Sequence, residues 1–166
     1  MKTKSVYQDL ITSLEELSPN VDSKQFFNAL QKWLSANLDK LAPDLVKDYK
    51  LDYFSSIKLE DFPANDLEIG HLIKCLYLLK PKKPIHLITA LSRLFVYRIR
   101  YYSVENCPKC EDGNLFYLSE SESNSLILQC EICTYFKYIT GMGYEGSNFN
   151  EPTKKTLIEF GIMVTE

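Results

Sequence analysis

The sequence predicts an α+β protein: an N-terminal helical bundle, then a small antiparallel β module, then a short C-terminal helix. Three observations predict it. Apolar residues through the N-terminal half recur at three- and four-residue steps, the period of an amphipathic helix. From Val96 the composition turns β-like, with branched and aromatic residues in near alternation with polar ones. Two cysteine pairs follow, Cys107/Cys110 in CPKC and Cys130/Cys133 in CEIC, with nineteen residues between Cys110 and Cys130, enough for a hairpin that brings two tight turns together.

A chain of 166 residues suits one domain, or one domain with a small appended module. Its 45% hydrophobic and 13% aromatic content is ample for a core. The charge is unevenly placed. Residues 1–100 carry 15 Lys+Arg and 12 Asp+Glu, net +3, whereas residues 101–166 carry 4 Lys and 10 Asp+Glu, net −6. The expected organisation is a helical domain at 1–98, the cysteine module at 99–141, and a C-terminal loop and helix at 142–166 packing on the rest.

Taken in order, Val6, Leu10, Ile11, Leu14 and Leu17 form one face of a first helix over about Ser5–Leu17, which Ser18-Pro19-Asn20 ends. A second helix begins near Ser23, capped by Asp22 or Ser23. Its stripe of Phe27, Leu30, Trp33, Leu34, Leu38 and Leu41 reads as core rather than a cofactor box. After Pro43 the pattern is less regular, with Leu45, Val46, Tyr49 and Tyr53 allowing a helix. Asn65 and Glu68 make a capping box for a largely apolar helix containing His71 and Cys75, the expected centre of the bundle. Cys75 reads as a small packing hydrophobe.

The basic connector Lys80-Pro81-Lys82-Lys83-Pro84 leads into a further helix on Ile88, Leu91 and Phe95, which gives way to strand between Leu94 and Tyr101. The module then reads as a strand at Tyr101–Val104, a cysteine turn, Glu111–Asn114 as a turn, strands LFYL and LILQ, the second cysteine turn, and strand YFKYI. The loop Ser119–Ser125 has no apolar residue and is expected at the surface. Beyond the glycine-rich GMGYEGSN, a short helix spans about Pro152–Phe160. Gly161 ends it, and IMV either adds a strand or folds back.

Two C-x-x-C turns at this distance have the spacing at which four thiolates close a tetrahedron around one zinc ion. Paired disulfides need an oxidising compartment, and the N-terminal stretch, with Asp9, Glu15 and Glu16, does not read as an export signal. A thioredoxin-like pair needs only one such motif, and iron–sulfur runs usually bunch their cysteines differently. Structural zinc is the simplest reading. With reduced cysteines and no apolar run near the ~18–20 residues of a membrane span, the expected compartment is the cytoplasm.

The residues Cys107, Pro108, Cys110, Gly113, Cys130 and Cys133 resemble the zinc-ribbon family, over about residues 101–140. The resemblance implies that the four cysteines are zinc ligands and that backbone N–H groups of each turn donate to the sulfurs. The chain departs from the pattern where a glycine commonly follows the second cysteine of each turn: Glu111 and Thr134 stand there.

Chemistry elsewhere is sparse. Four protein thiolates leave no coordination position for a reacting water. His71 and His86, the only histidines, lack the H-x-E context of zinc deaminases. There is no phosphate loop and no G-x-S-x-G elbow, and the pairs Glu15/Glu16 and Glu60/Asp61 read as solvated faces. The protein is therefore expected not to be an enzyme. Nucleic acid is disfavoured as a partner, because the module has aromatics (Tyr101, Tyr102, Phe116, Tyr117, Tyr135, Phe136, Tyr138) but few cations. Those aromatics are expected to pack the module onto the helical half. Any basic surface has to come from Lys80, Lys82, Lys83, Arg93, Arg98 and Arg100.

An acidic, metal-rigidified surface suits electrostatic recognition of a basic protein. In size and acidity, and in the CPKC…LFYL…LQCEIC stretch, the chain resembles the small immunity proteins made beside bacterial secreted toxins. That resemblance implies an inhibitor of a basic, nuclease-type toxin, monomeric or weakly oligomeric, with Glu105, Glu111, Asp112, Glu120 and Glu122 as contacts. The alternative is a zinc-ribbon regulator acting near nucleic acid or the transcription machinery.

Overall fold

The structure is a computed structural model, and it describes residues 3–17, 21–63, 84–120, 125–140 and 149–164. The expected central helix with His71 and Cys75, the lysines of the Lys80–Pro84 connector, Glu122 and the glycine-rich passage lie outside the described residues. The architecture is α+β: helices, then a four-stranded antiparallel sheet, then a short helix. It divides into two compact units, residues 1–59 with 64–98, and residues 60–63 with 99–166.

In the first unit, α1 (Thr3–Glu15) and α2 (Ser23–Asn37) bury the faces their periodicity marks: Val6, Leu10, Ile11 and Leu14 on one, Phe27, Leu30, Trp33 and Leu34 on the other. Asp22 caps α2 as a capping box. Its carboxylate accepts from the Gln25 N–H at 2.7 Å, and the Gln25 side chain accepts from the Asp22 N–H. The helix stops at Asn37 and passes through a 3₁₀ turn, Leu38–Lys40, into extended chain at Leu41, short of the expected run. Pro43 disfavours helical backbone at Ala42, which is extended and keeps the chain from resuming a helix before the proline.

The irregular stretch resolves into two short helices, α3 (Pro43–Asp48) and α4 (Leu51–Ser56), separated by Lys50 in the left-handed region at φ 52°. Gln31 of α2 donates to the carbonyls of Phe54 and Ile57 at 2.9 and 2.8 Å, satisfying acceptors that the end of α4 leaves open. The next described helix, α5 (Pro84–Ile99), carries helical structure through the β-like run Val96–Ile99, because Phe95, Arg98 and Ile99 are all buried. Burial here overrides the strand preference of branched and aromatic residues. Phe27 meets Phe95 edge-on at 5.7 Å and Phe54 stacks on Phe95 at 5.3 Å, an aromatic centre shared by α2, α4 and α5.

In the second unit, β1 (Tyr102–Asn106), β2 (Asn114–Glu120), β3 (Ser125–Cys130) and β4 (Phe136–Thr140) pair in chain order. The β1–β2 register shifts between Tyr102, opposite Phe116, and Asn106, opposite Asn114. The sheet curls enough for Lys137 on β4 to reach Glu105 on β1 at 3.6 Å, linking its two outer strands. Alternation along β2 and β3 gives two apolar faces. One holds Leu115 and Leu128 with the cysteines, Tyr117, Tyr135 and Ile139. The other holds Phe116, Leu118 and Ile127 with Tyr102, Tyr138 and Phe149. The module's aromatics thus find partners within their own unit.

Asn150 exchanges both backbone hydrogen bonds with Ser119 at 2.9 Å, a pairing with no local sequence signal. The final helix, α6 (Lys154–Glu159), is capped by the Thr153 hydroxyl, which accepts from the Thr156 N–H. It ends at Gly161, φ 77°, with Ile162 folding back to donate to the Leu157 carbonyl rather than adding a strand.

Candidate metal centre

Both cysteine turns sit at one end of the sheet, placed there by the β2–β3 register, which sets Leu115 opposite Cys130. The first turn closes through Cys107 N–H to the Gly113 carbonyl at 2.9 Å and Glu111 N–H to the Cys107 carbonyl at 2.9 Å. The second closes through Cys130 N–H to the Tyr135 carbonyl at 3.0 Å. The four Sγ atoms of Cys107, Cys110, Cys130 and Cys133 lie within 4.8 Å of one another, an arrangement that can hold a metal ion. The closest approaches run across the turns, Cys107–Cys133 at 3.5 Å and Cys110–Cys130 at 3.6 Å. A disulfide needs ~2.05 Å between sulfurs, so these are four separate thiols. A tetrahedral ion bound at ~2.3 Å needs sulfur–sulfur edges of roughly 3.8 Å, which the cluster nearly has already.

Backbone N–H groups complete the cradle. Cys107 Sγ accepts from Lys109, Cys130 Sγ from Ile132 and Cys133, and Cys133 Sγ from Tyr135, at 3.3–3.4 Å. Such donors favour the thiolate and orient the sulfur lone pairs. A Cβ at Gly113 would lie 2.5 Å from Cys130 Sγ and 3.2 Å from Cys110 Sγ, so packing against sulfur requires glycine there. Glu111 takes φ 60°, the left-handed conformation that glycine adopts at lower cost. The turn therefore keeps its shape with glutamate at this position and carries the strain.

The thiols differ in acidity. Burial raises the Cys107 pKa, but the N–H groups of Cys110 and Lys109 outweigh it and bring the value to about 7. Burial and the neighbouring sulfurs of Cys130 and Cys107 push Cys110 up to about 12. For Cys133, the pull of the Tyr135 N–H is overcome by burial and by the Cys107 and Cys130 sulfurs, so its pKa is raised. Several protons are thus held in the cluster near neutrality, and a bound cation has to displace them.

The expected contact residues do not share one environment. Glu105, Glu111 and Asp112 are exposed around the turns. Glu120 is 3% exposed at the end of β2, opposite buried Ser125, and so drops out of any exposed acidic face. The missed carboxylate is Glu131, exposed between Cys130 and Cys133 and accepting from Asn114.

Two members of the expected basic surface are engaged by other residues of the chain. Arg98 is buried, with its guanidinium 5.7 Å from the Phe27 ring, while Arg100 lies 3.7 Å over Phe116 and pairs with Glu151 at 3.5 Å. A guanidinium stacks on an aromatic face more readily than it stays in water at such a place. Arg93 and His86 are exposed. Among the described residues no helix is long and apolar enough to cross a membrane. Neither the family models, the curated proteins nor the solved structures yield a match to this chain.

Proposed function

We propose that the chain is a non-catalytic, cytoplasmic zinc protein whose metal rigidifies an acidic end for binding a basic protein. Zinc is the ion that four thiolates in tetrahedral array suit best, and a complete protein ligand set leaves no site for a reacting water. The observation that carries the reading is the placement of exposed Glu105, Glu111, Asp112 and Glu131 on the segments that flank the four sulfurs. A metal held by four thiolates is itself a formal dianion, which deepens the local negative potential. An immunity protein that neutralises a basic, nuclease-type bacterial toxin is the specific form this takes. The alternative, a ribbon acting on nucleic acid, has less support because Arg98 and Arg100 are engaged internally.

The test has two arms. Metal analysis of the purified chain should find stoichiometric zinc, with four sulfur neighbours by X-ray absorption. Affinity capture from the source cells should recover a basic protein that the charge-reversed variant Glu111→Lys/Asp112→Lys loses. A partner indifferent to that reversal, or tight nucleic-acid binding with a steep salt dependence, overturns the proposal.

A further inference from the structure

Each close sulfur pair joins one cysteine turn to the other, and each combines a buried cysteine with a partly exposed one. Cys107 is buried and lies 3.5 Å from partly exposed Cys133, while Cys130 is buried and lies 3.6 Å from partly exposed Cys110. This is the arrangement in which an oxidant reaches one sulfur and a sheltered partner resolves the product. We propose that the cluster is a thiol-oxidation site for small peroxides, with Cys133 and Cys110 the attacked sulfurs and Cys107 and Cys130 the resolving ones. The inference rests on the metal-centre reading for its resting state.

The step balances. Cys133, which gives up its proton when the cluster holds its cation, attacks one peroxide oxygen as the thiolate; the O–O bond breaks, and the sulfur becomes a sulfenic acid as hydroxide leaves. The Cys107 thiolate then attacks that sulfur, forming the S–S bond and expelling a second hydroxide. Each pair consumes one peroxide and two protons and yields one disulfide and two waters; the sulfurs lose two electrons and the peroxide gains them. When both pairs have reacted no thiolate remains to hold a cation, so the metal is released. The two turns nevertheless stay joined, now covalently, by Cys107–Cys133 and Cys110–Cys130. Oxidation therefore exchanges a metal link for two disulfide links without opening the end of the sheet. Bonds within the turns, Cys107–Cys110 and Cys130–Cys133, would instead leave the turns unconnected.

The sequence makes the pairing directly readable. Lys109 separates Cys107 from Cys110 and Glu131 separates Cys130 from Cys133, so trypsin with a glutamate-specific protease puts each cysteine on its own peptide. Full-length metal-loaded protein is titrated with hydrogen peroxide while a chromophoric chelator follows metal release, then alkylated and digested. A dimedone trap run in parallel marks the sulfenic sulfurs. Expected are cross-turn disulfides, dimedone adducts on Cys110 and Cys133 in preference to Cys107 and Cys130, full metal release, and a retained β-sheet signal by circular dichroism. Within-turn disulfides, adducts mainly on the buried pair, or survival of the thiols of Cys107, Cys110, Cys130 and Cys133 in stoichiometric peroxide overturn the inference while leaving the zinc reading intact. Protein purified without metal overturns the zinc reading, and its thiols can still be scored for pairing.

Discussion

In the helical unit Phe27 and Phe54, both fully buried, pack on the ring of fully buried Phe95. At the turn end of the sheet unit that central place is taken by four sulfurs with Leu115 and Leu128 beside them. The first arrangement draws stability from apolar area removed from water and needs nothing but the chain. The second gathers thiols that repel one another's ionisation, in an arrangement that can hold a cation. The comparison teaches that one short chain can divide its stability between two physical sources, each with its own way of failing.

Metal removal should separate them most sharply. A structural zinc site contributes on the order of 10 kcal/mol to folding, more than the small sheet's packing supplies. A strong chelator, or Cys130→Ser, is expected to abolish the sheet's circular-dichroism signal while the helical signal persists. Trp33, the single tryptophan, lies buried on α2 and reports the helical unit alone. Its fluorescence should keep the blue-shifted maximum of a buried indole. A red shift on chelation would show that the units melt together and would break the comparison.

The converse experiment is Phe27→Ala. Deleting a fully buried ring that contacts Phe26 and Phe95 should cost about 3–5 kcal/mol. Denaturant melting followed by Trp33 fluorescence should register the whole loss, with metal stoichiometry unchanged. If metal binding weakens in parallel, the two sources of stability are coupled.

How much of this was legible in the sequence differs between the units for the same physical reason. Cysteine spacing is a covalent-scale constraint, so the clustering of the four cysteines and the hairpin that joins them could be read directly. Helix faces such as Val6/Leu10/Ile11/Leu14 follow from a period and were equally plain. What could not be read depends on distant partners. Val96–Ile99 has strand-like composition but is helical because its neighbours bury it. Arg98 and Arg100 look like surface cations until Phe27, Phe116 and Glu151 are placed beside them. Glu120 lies on a strand whose alternation turns it inward, although the SESES composition around it reads as solvated loop.

Gly113 tests the cradle rather than the ligands. A methyl group there meets Cys130 Sγ at 2.5 Å, so Gly113→Ala forces a sulfur out of place. Overpacking of this kind costs about 1–3 kcal/mol, and here it should appear chiefly as weakened metal affinity in a chelator competition. The helical unit's melting should not change.

Acidity sharpens the contrast further, because only the sheet unit should respond to pH through its thiols. In the assembled cluster, before a cation enters, burial and the neighbouring sulfurs push Cys110 up to about 12 and hold Cys133 above the ordinary 9.0, so both are protonated below pH 9. Metal binding must expel both protons, so apparent affinity should rise with pH by at least about a hundredfold per unit between pH 7 and 9. Below pH 7 the dependence should steepen as Cys107, near 7, adds a third proton. For the stability of that assembled, cation-free cluster, Cys110 and Cys133 act with the opposite sign. A thiol whose folded pKa is raised stabilises the fold below its ordinary value, and that contribution is lost as pH climbs through the folded one. Chelator competition at pH 6, 7 and 8 measures the first effect; a flat profile would mean that the ion binds without displacing protons.

The smallest expected effect concerns Glu111. Its φ of 60° costs a residue with a Cβ about 1 kcal/mol relative to glycine. Glu111→Gly should therefore raise the stability of the metal-loaded sheet unit by roughly that amount, offset in part by glycine's greater freedom when unfolded. The same substitution deletes a carboxylate from the acidic end, so stability and partner affinity should move in opposite directions. Glu111→Gln separates the two effects: it keeps a Cβ and hence the strain of the left-handed backbone, and loses only the charge. If both variants lose partner binding equally while differing in stability, the charge at position 111 serves recognition and the strained backbone is its cost. If neither loses binding, the glutamate has no place in the interface, and the strain at this turn is left without a functional account.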